Sequence, residues 1–301
     1  MSSAAVAQQL KSFYRRELPS RCVNFASREG KLLFREALER GHMENYFSLA
    51  AQFHTQSEPA YCGLGTLAMV LNALAIDPKR VWKGPWRWFS EELLECCKPL
   101  EVVKQQGTTV NEFACLARCN GADCSVFYAT ESNENSFREA VTKTTRAEGS
   151  QIVVGYNRET LGQTGAGHFS PVGGYHPDRD LVLIMDVARF KYPPHWVELP
   201  LLFSAMKDTD PATNRSRGYM VLTPNAIGPR LAAAASASLS TSSPSSSSCN
   251  INSNNNVGSC SSSPSSPSPP TPCSTESEDI AMREKIEALA KDAAAYRSLQ
   301  A

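Results

Sequence analysis

The chain has 301 residues, ample for a sizeable core, with 30 basic and 30 acidic side chains and a formal charge of zero. That balance supplies no long-range attraction to nucleic acid or anionic lipid, so neither nucleic acid nor a membrane is expected as a partner. Ten cysteines fall well below the density of a small disulfide scaffold, roughly 8 per cent or more, so most thiols are expected to be reduced and the chain cytoplasmic.

The opening MSSAAVAQQLKSFYRREL has a short apolar run with no basic cluster ahead of it, unlike a signal peptide. No apolar stretch reaches the roughly 18 residues of a transmembrane span. Residues 231–301 hold a single aromatic, Tyr296, so the core is expected in the first 230. There, residues 32–40 and 43–53 read as helices broken near Gly41. Residues 62–74 are apolar on several sides and read as a buried helix, which Pro59 forces to start close to Cys62. Residues 86–94, after a proline turn, read as helical, as do residues 109–119, with Val110, Phe113, Ala114 and Ala117 as their apolar stripe. The pattern then changes to strands at 124–128, 151–156, 168–175, 181–187 and 218–222. Helices followed by an antiparallel sheet predict an α+β fold, with the folded domain spanning residues 1–225.

Residues 231–279 read as a disordered linker. From 236 to 277, 19 of 42 residues are serine, which leaves too little apolar surface to offset the entropy of ordering. Its Cys249, Cys260 and Cys273 read as isolated thiols. Beyond it, Ile286, Leu289, Ala290 and Ala293 recur at helical spacing. They predict an amphipathic helix over 280–299, suited to docking on the core, to pairing with a copy of itself as a homodimer, or to standing free.

The chemistry centres on Cys62. A thiol in the first turn of a buried helix meets the positive end of the helix dipole, which favours the thiolate; an inert structural cysteine is the alternative when Cys62 is taken alone. His168 and Asp186 supply partners. A hairpin of the strands 168–175 and 181–187 centred on residue 177 sets His168 opposite Asp186. Asp186 is also the lone charge in an apolar run, where a carboxylate needs a partner. Asp186 would orient His168, and His168 would activate Cys62; a core histidine and a strand-end aspartate are the alternative. Pro171, inside the first strand, requires an edge or a bulge there. Gln56, six residues before Cys62, and the Cys62 N–H are candidate oxyanion donors, with an ordinary loop glutamine as the alternative. Cysteine first on a helix, then His and Asp from a sheet, is the order of papain-like cysteine enzymes.

Cys115 and Cys119 lie four apart on a predicted helix and share a face, while Cys96 and Cys97 are adjacent. Soft thiolates select soft ions, which makes Cys96, Cys97, Cys115 and Cys119 the candidate metal ligands. The paired CxxC of a zinc site is lacking, and plain thiols are the alternative.

Four blocks in order, QSEPAYCGLGTLAMVLNALAIDPKRVWKGPWRWF, GTTVNEFACLARCNG, GHFSPVGGYH and DVARFKYPPHWV, resemble the phytochelatin synthases, the glutathione γ-glutamylcysteinyltransferases, over about residues 14–222. The resemblance implies a papain-like fold with Cys62 as nucleophile, His168 as base, Asp186 as the orienting carboxylate and Gln56 in the oxyanion hole. It implies that Cys62 takes the γ-glutamylcysteinyl group of glutathione, releases glycine, and passes the group to a second glutathione or a growing phytochelatin oligomer, in heavy-metal detoxification. Asp210 and Arg217 match the positions that hold the α-amine and α-carboxylate of the donor. Arg189 is linked to the second substrate, with Lys191 and Arg158 as further candidates. No organic cofactor is implied; a heavy-metal ion, cadmium or also zinc or copper, enters as activator or as metal-thiolate substrate. Hydrolysis of glutathione or its conjugates on the same triad is one alternative. A non-catalytic, thiol-rich metal-binding protein is another. Plant members of the family carry a long cysteine-rich C-terminal domain, from which the serine-rich tail here departs.

Overall fold

A computed structural model describes residues 16–225. The serine-rich segment 231–279, its three cysteines and the predicted helix 280–299 lie outside the described residues.

Strand β1 (Cys22–Asn24) leads into helix α1 (Arg28–Glu39), whose first turn is closed by Ser27 Oγ accepting the Gly30 N–H at 2.9 Å. Gly41, with φ of 70°, separates α1 from α2 (Glu44–Ala51). Helix α3 (Cys62–Ala73) is buried at every residue from Gly63 to Leu71, which is why its sequence shows no single apolar stripe.

Residues 86–94 depart from the helix expected there. A turn closed by the Lys83–Trp86 bridge and a 3-10 turn at Glu91–Leu93 stand in its place. Asn72 of α3 both donates to the Phe89 carbonyl, at 2.9 Å, and accepts the Phe89 N–H, at 3.1 Å. This clasp takes backbone groups that a helix would need, so tertiary bonding overrides local propensity.

Helix α4 (Leu100–Gln106) was not legible in the sequence, whereas α5 (Val110–Cys119) opens on a capping box of Thr109 and Glu112. Strand β2 (Ala122–Tyr128), helix α6 (Glu134–Thr145), strands β3 (Gln151–Asn157), β4 (Gly167–His176), β5 (Leu181–Ile184) and β6 (His195–Glu198), and helix α7 (Leu199–Lys207) follow. A short hairpin of β7 (Thr209–Asp210) and β8 (Arg215–Ser216) precedes the last strand, β9 (Gly218–Pro224).

Seven strands form one antiparallel sheet in the order β1-β6-β5-β4-β3-β9-β2. Residues of α1, α2, α3 and α5 pack on one face with Val153, Leu183 and Met220; residues of α6 and α7 pack on the other with Ile152, Val154 and Tyr156. Alternate residues of β3 therefore feed two cores, and the central strands read as continuous apolar runs rather than alternating ones. The α+β class is as expected, with α6 and α7 inserted among the strands. No helix among the described residues is long and apolar enough to cross a membrane.

Two contacts set the geometry at the sheet's centre. Thr66 of α3 donates its hydroxyl to the Phe169 carbonyl at 3.1 Å. Phe169 also stacks on Phe113 of α5 with ring centroids 5.2 Å apart. The start of β4 is thus clamped between α3 and α5, with His168 held at the head of α3.

Candidate active site

Cys62 is the first residue of α3. Tyr61 precedes it, and no side chain caps this end of the helix, so its first N–H groups remain open to an anion. His168 is buried, and it and the backbone of Phe169 both act on the Cys62 thiol, favouring its charged form. The His168 Nε2 meets Asp186 Oδ1 at 2.8 Å, which leaves Nδ1 as the ring nitrogen available to the thiol.

Asp186 is fully buried yet well satisfied: besides His168 it accepts from the Ala188 N–H at 2.8 Å and from Arg158 Nη2 at 2.7 Å. Arg158, 3 % exposed, is held in turn by Gln163 Oε1 at 2.5 Å and faces the ring of Tyr192. Gln163 Nε2 donates to His195 Nε2 at 3.0 Å, and His195 Nδ1 donates to the Pro193 carbonyl at 2.9 Å. Burial pushes His195 down, toward the neutral form that this pattern requires. Arg158, considered from sequence as a substrate ligand, bonds the Asp186 carboxylate and also lines the cavity beside Cys62 and His168. A lone arginine after a strand carries no sequence signal that distinguishes this duty from a surface one.

The electrostatics set the half-buried Cys62 apart from the buried thiols. Burial pushes Cys22 and Cys124 up to about 11. At Cys62 burial acts the same way, but the charge and hydrogen bond of His168, the Phe169 backbone and the Arg158 charge outweigh it, and the thiol lies below its ordinary value. His168 is pushed down by burial and by Arg158 and up by Asp186 and Cys62; the upward pull wins. Asp186, raised by burial, is held far below the carboxylate range by His168 and Arg158. Both shifts run in the direction that favours a thiolate–imidazolium pair. Alkylation of Cys62 is therefore expected to titrate below the roughly 8.5 of a free cysteine. The fast reaction should be lost only as pH falls through the depressed thiol value, and iodoacetamide rates followed on the Cys62 peptide check this.

The chain matches the phytochelatin synthase family profile over residues 13–219. It belongs to the phytochelatin synthase family. Among its relatives, "Glutathione gamma-glutamylcysteinyltransferase 3" of Lotus japonicus is 56 % identical over 211 residues, 70 % of this chain and 44 % of the relative. "Glutathione gamma-glutamylcysteinyltransferase 1" of Arabidopsis thaliana is 54 % identical over 215 residues, 71 % of this chain and 44 % of the relative. The Schizosaccharomyces pombe protein named "Glutathione gamma-glutamylcysteinyltransferase" is 48 % identical over 224 residues, 74 % of this chain and 54 % of the relative. The chain thus spans about half the length of the relatives it matches.

In this phytochelatin synthase fold Cys62 and His168 open onto a cavity of about 540 Å³, within the size range of small-molecule sites. Asp210, from the β7–β8 hairpin, and Arg217 line the same cavity. Arg217 Nη1 is fixed by the carbonyls of Asp208 and Thr209 at 3.0 and 3.1 Å. Gly167 leaves room for the rest of the fork: a Cβ there would lie 3.1 Å from Nη2. Lys191 lines the cavity against Gly165, where a Cβ would come within 2.9 Å of Nζ. Arg189 is placed differently, its guanidinium 4.6 Å from the Phe53 ring centroid, while Phe190 and Lys191 form the cavity wall.

Gln56 has another occupation. Its Nε2 donates to the carbonyls of Glu58 and Pro59 at 2.8 and 2.9 Å, which uses both amide protons within the loop that delivers Cys62. Its Oε1 is buried without a partner. The neighbouring Glu91 carboxylate accepts the Ser57 N–H at 3.0 Å and its hydroxyl. Gly65 of α3 makes room for this loop, since a Cβ there would meet Glu91 at 2.8 Å and Gln56 at 3.2 Å.

The four cysteines expected as metal ligands are not all thiols in this structure. Cys97 and Cys115 are joined by a disulfide, so in this oxidised form only Cys96 and Cys119 of the four are thiols. Their Cα atoms lie 6.4 Å apart, within the range a bridge spans, because the loop carrying Cys97 lies against α5. Cys22, Cys62, Cys96, Cys119 and Cys124 are free.

Proposed function

We propose that the chain transfers the γ-glutamylcysteinyl group of glutathione, through a thioester on Cys62, to the α-amine of a second glutathione or of a growing phytochelatin. The observation that carries this reading is the Cys62–His168–Asp186 arrangement opening onto a cavity that also holds Asp210 and Arg217. The family and the names of the relatives support the substrate class.

The Cys62 thiolate attacks the carbonyl carbon of the cysteinyl–glycine amide. The C–N bond breaks as His168 delivers its proton to the departing glycine nitrogen, and the acyl group remains on sulfur. In the second half the incoming α-amine attacks the thioester, His168 takes its proton, the C–S bond breaks and the thiolate returns. The open N–H groups at the head of α3 are the donors best suited to the tetrahedral oxyanion. Gln56 would join them only by releasing a loop carbonyl, so its first duty in this scheme is to hold the loop before Cys62.

Asp210 and Arg217 form an anion and a cation on one wall, the pair needed for the α-amine and α-carboxylate of a γ-glutamyl group. Arg217→Met is expected to raise the KM for glutathione by about 10–100-fold, the size of a lost charged hydrogen bond. Thioester formation at saturating substrate should change much less, and steady-state kinetics beside a single-turnover assay separate the two. Lys191 and Arg189 are the cations nearest the triad by sequence for the second substrate's carboxylate. A heavy-metal ion would enter as the metal-thiolate form of glutathione, and a thiolate nucleophile fed by glutathione fits a reducing compartment, the cytoplasm.

Mass spectrometry of the products from glutathione and cadmium tests the reading. Oligomers of γ-Glu-Cys with released glycine support it. Only γ-Glu-Cys and glycine would make the chain a hydrolase on the same triad.

A further inference from the structure

The disulfide lies inside a larger group of sulfurs. The Sγ atoms of Cys96, Cys97 and Cys119 are all within 4.8 Å of one another, and those of Cys96 and Cys97 are 3.9 Å apart. Two ligands of a tetrahedral zinc, with Zn–S of about 2.3 Å, sit about 3.8 Å apart. Cys115, bonded to Cys97, holds a fourth sulfur next to this group. Asn120 Nδ2 donates to Cys96 Sγ at 3.5 Å, an outer contact of the kind that orients a ligating thiolate. Cys96 and Cys119 are exposed, so the group is open to an ion and to a small thiol. It occupies the C-terminal end of α5, whereas Thr109 and Val110 at the other end line the Cys62 cavity, so it is separate from the reacting atoms.

We propose that Cys96, Cys97, Cys115 and Cys119 form a soft-metal site gated by the Cys97–Cys115 disulfide, closed when that bond is formed and able to take one cadmium- or zinc-class divalent ion when it is cut. A bridged sulfur has no thiol proton to give up to an ion, so the oxidised group offers two thiols that can become thiolate ligands and the reduced group four. Opening uses a monothiol of the glutathione class. One thiolate attacks a sulfur of the bridge, the S–S bond breaks, and the other cysteine leaves and takes a proton. A second monothiol then releases the mixed disulfide, so two monothiols end as their own disulfide and Cys97 and Cys115 end as thiols. The divalent ion displaces one proton from each thiol it binds. The site needs no turnover at Cys62, so it stands or falls separately from the proposed transferase.

The test is equilibrium dialysis of the full chain against Cd²⁺, after reduction with a phosphine and after oxidation with diamide, in a background where Cys249, Cys260 and Cys273 are serine. Reduction is expected to add one tightly held equivalent, together with the ultraviolet charge-transfer absorption of cadmium thiolate. Cys96→Ser/Cys119→Ser should weaken that equivalent at least tenfold, and both replaced side chains are exposed, so the fold is not at stake. In Cys97→Ser/Cys115→Ser the dependence on oxidation should vanish. Cadmium uptake that is equal in both redox states, or unchanged by Cys96→Ser/Cys119→Ser, would overturn the proposal. The product assay on the same samples reports on the transferase alone.

Discussion

Cys62→Ala is expected to lower turnover of glutathione by on the order of 10⁶-fold, the loss typical when the nucleophile of such a triad is removed. The reason is local: His168 is buried, its Nε2 is taken by Asp186, and its charge favours the Cys62 thiolate. A water molecule in the space left by the sulfur would lack both the charge and the fixed position of the thiolate. Binding should survive, because Asp210 and Arg217 lie elsewhere on the cavity wall. Isothermal titration with glutathione is therefore expected to give an affinity within a few-fold of the parent, while the product assay reads zero. Residual turnover within about 100-fold of the parent would mean that the reaction does not pass through Cys62.

The second large effect is at Asp186. Asp186→Asn should lower kcat by on the order of 10⁴-fold, because an amide no longer fixes the imidazole tautomer or stabilises its charged form. It should also destabilise the fold by about 3–5 kcal/mol, since the Arg158 guanidinium is buried and would lose its counter-charge. Combining Asp186→Asn with Arg158→Met separates the two effects: stability should recover in large part, and turnover should not. The pH dependence has a definite sign. The Asp186 carboxyl lies below its unfolded value, so its contribution is complete above about pH 4 and is lost only as pH falls through the depressed folded value. The parent chain should accordingly lose stability on acidification where Asp186→Asn does not, as chemical denaturation at a series of pH values would show.

The register around this aspartate shows how far the sequence could be read. A hairpin centred on residue 177 puts His168 and Asp186 in facing strand positions. In the fold β4 and β5 pair as Tyr175 with Val182 and His176 with Leu181, and a bulge separates Val172 from Gly174. The turn is thus centred between Asp178 and Arg179, and β5 ends at Ile184, two residues before Asp186. The contact forms because the chain after β5 turns back on itself: Asp186 accepts from Ala188, and the Val187 carbonyl accepts the Gln56 N–H at 3.0 Å. The bulge also lies next to Pro171, in a central strand where proline cannot complete the ladder. The need of a buried carboxylate for a partner was legible; the route by which it finds one was not.

Other elements divide in the same way. Helix α3 starts at Cys62 because Pro59 and burial both act within a few residues. Helix α6 and helix α7 are not legible in the sequence because their apolar residues pack on the second face of the sheet, and the sequence suggests no second layer. The segment after α3 reads as helix but folds as a loop, because the Asn72 clasp on Phe89 is a long-range bond that local pattern does not show. Arg158 and the Cys97–Cys115 bridge are pairings across 28 and 18 residues, and residue type alone cannot announce either.

The most direct test of the catalytic account is intact-protein mass spectrometry of the chain, quenched in acid during the first turnover with glutathione. The expected result is one adduct with the mass of a single γ-glutamylcysteinyl group. It should map to the Cys62 peptide, release on treatment with hydroxylamine, and be matched by one equivalent of free glycine. Sustained turnover with no such adduct, or an adduct that persists in Cys62→Ala, would contradict it.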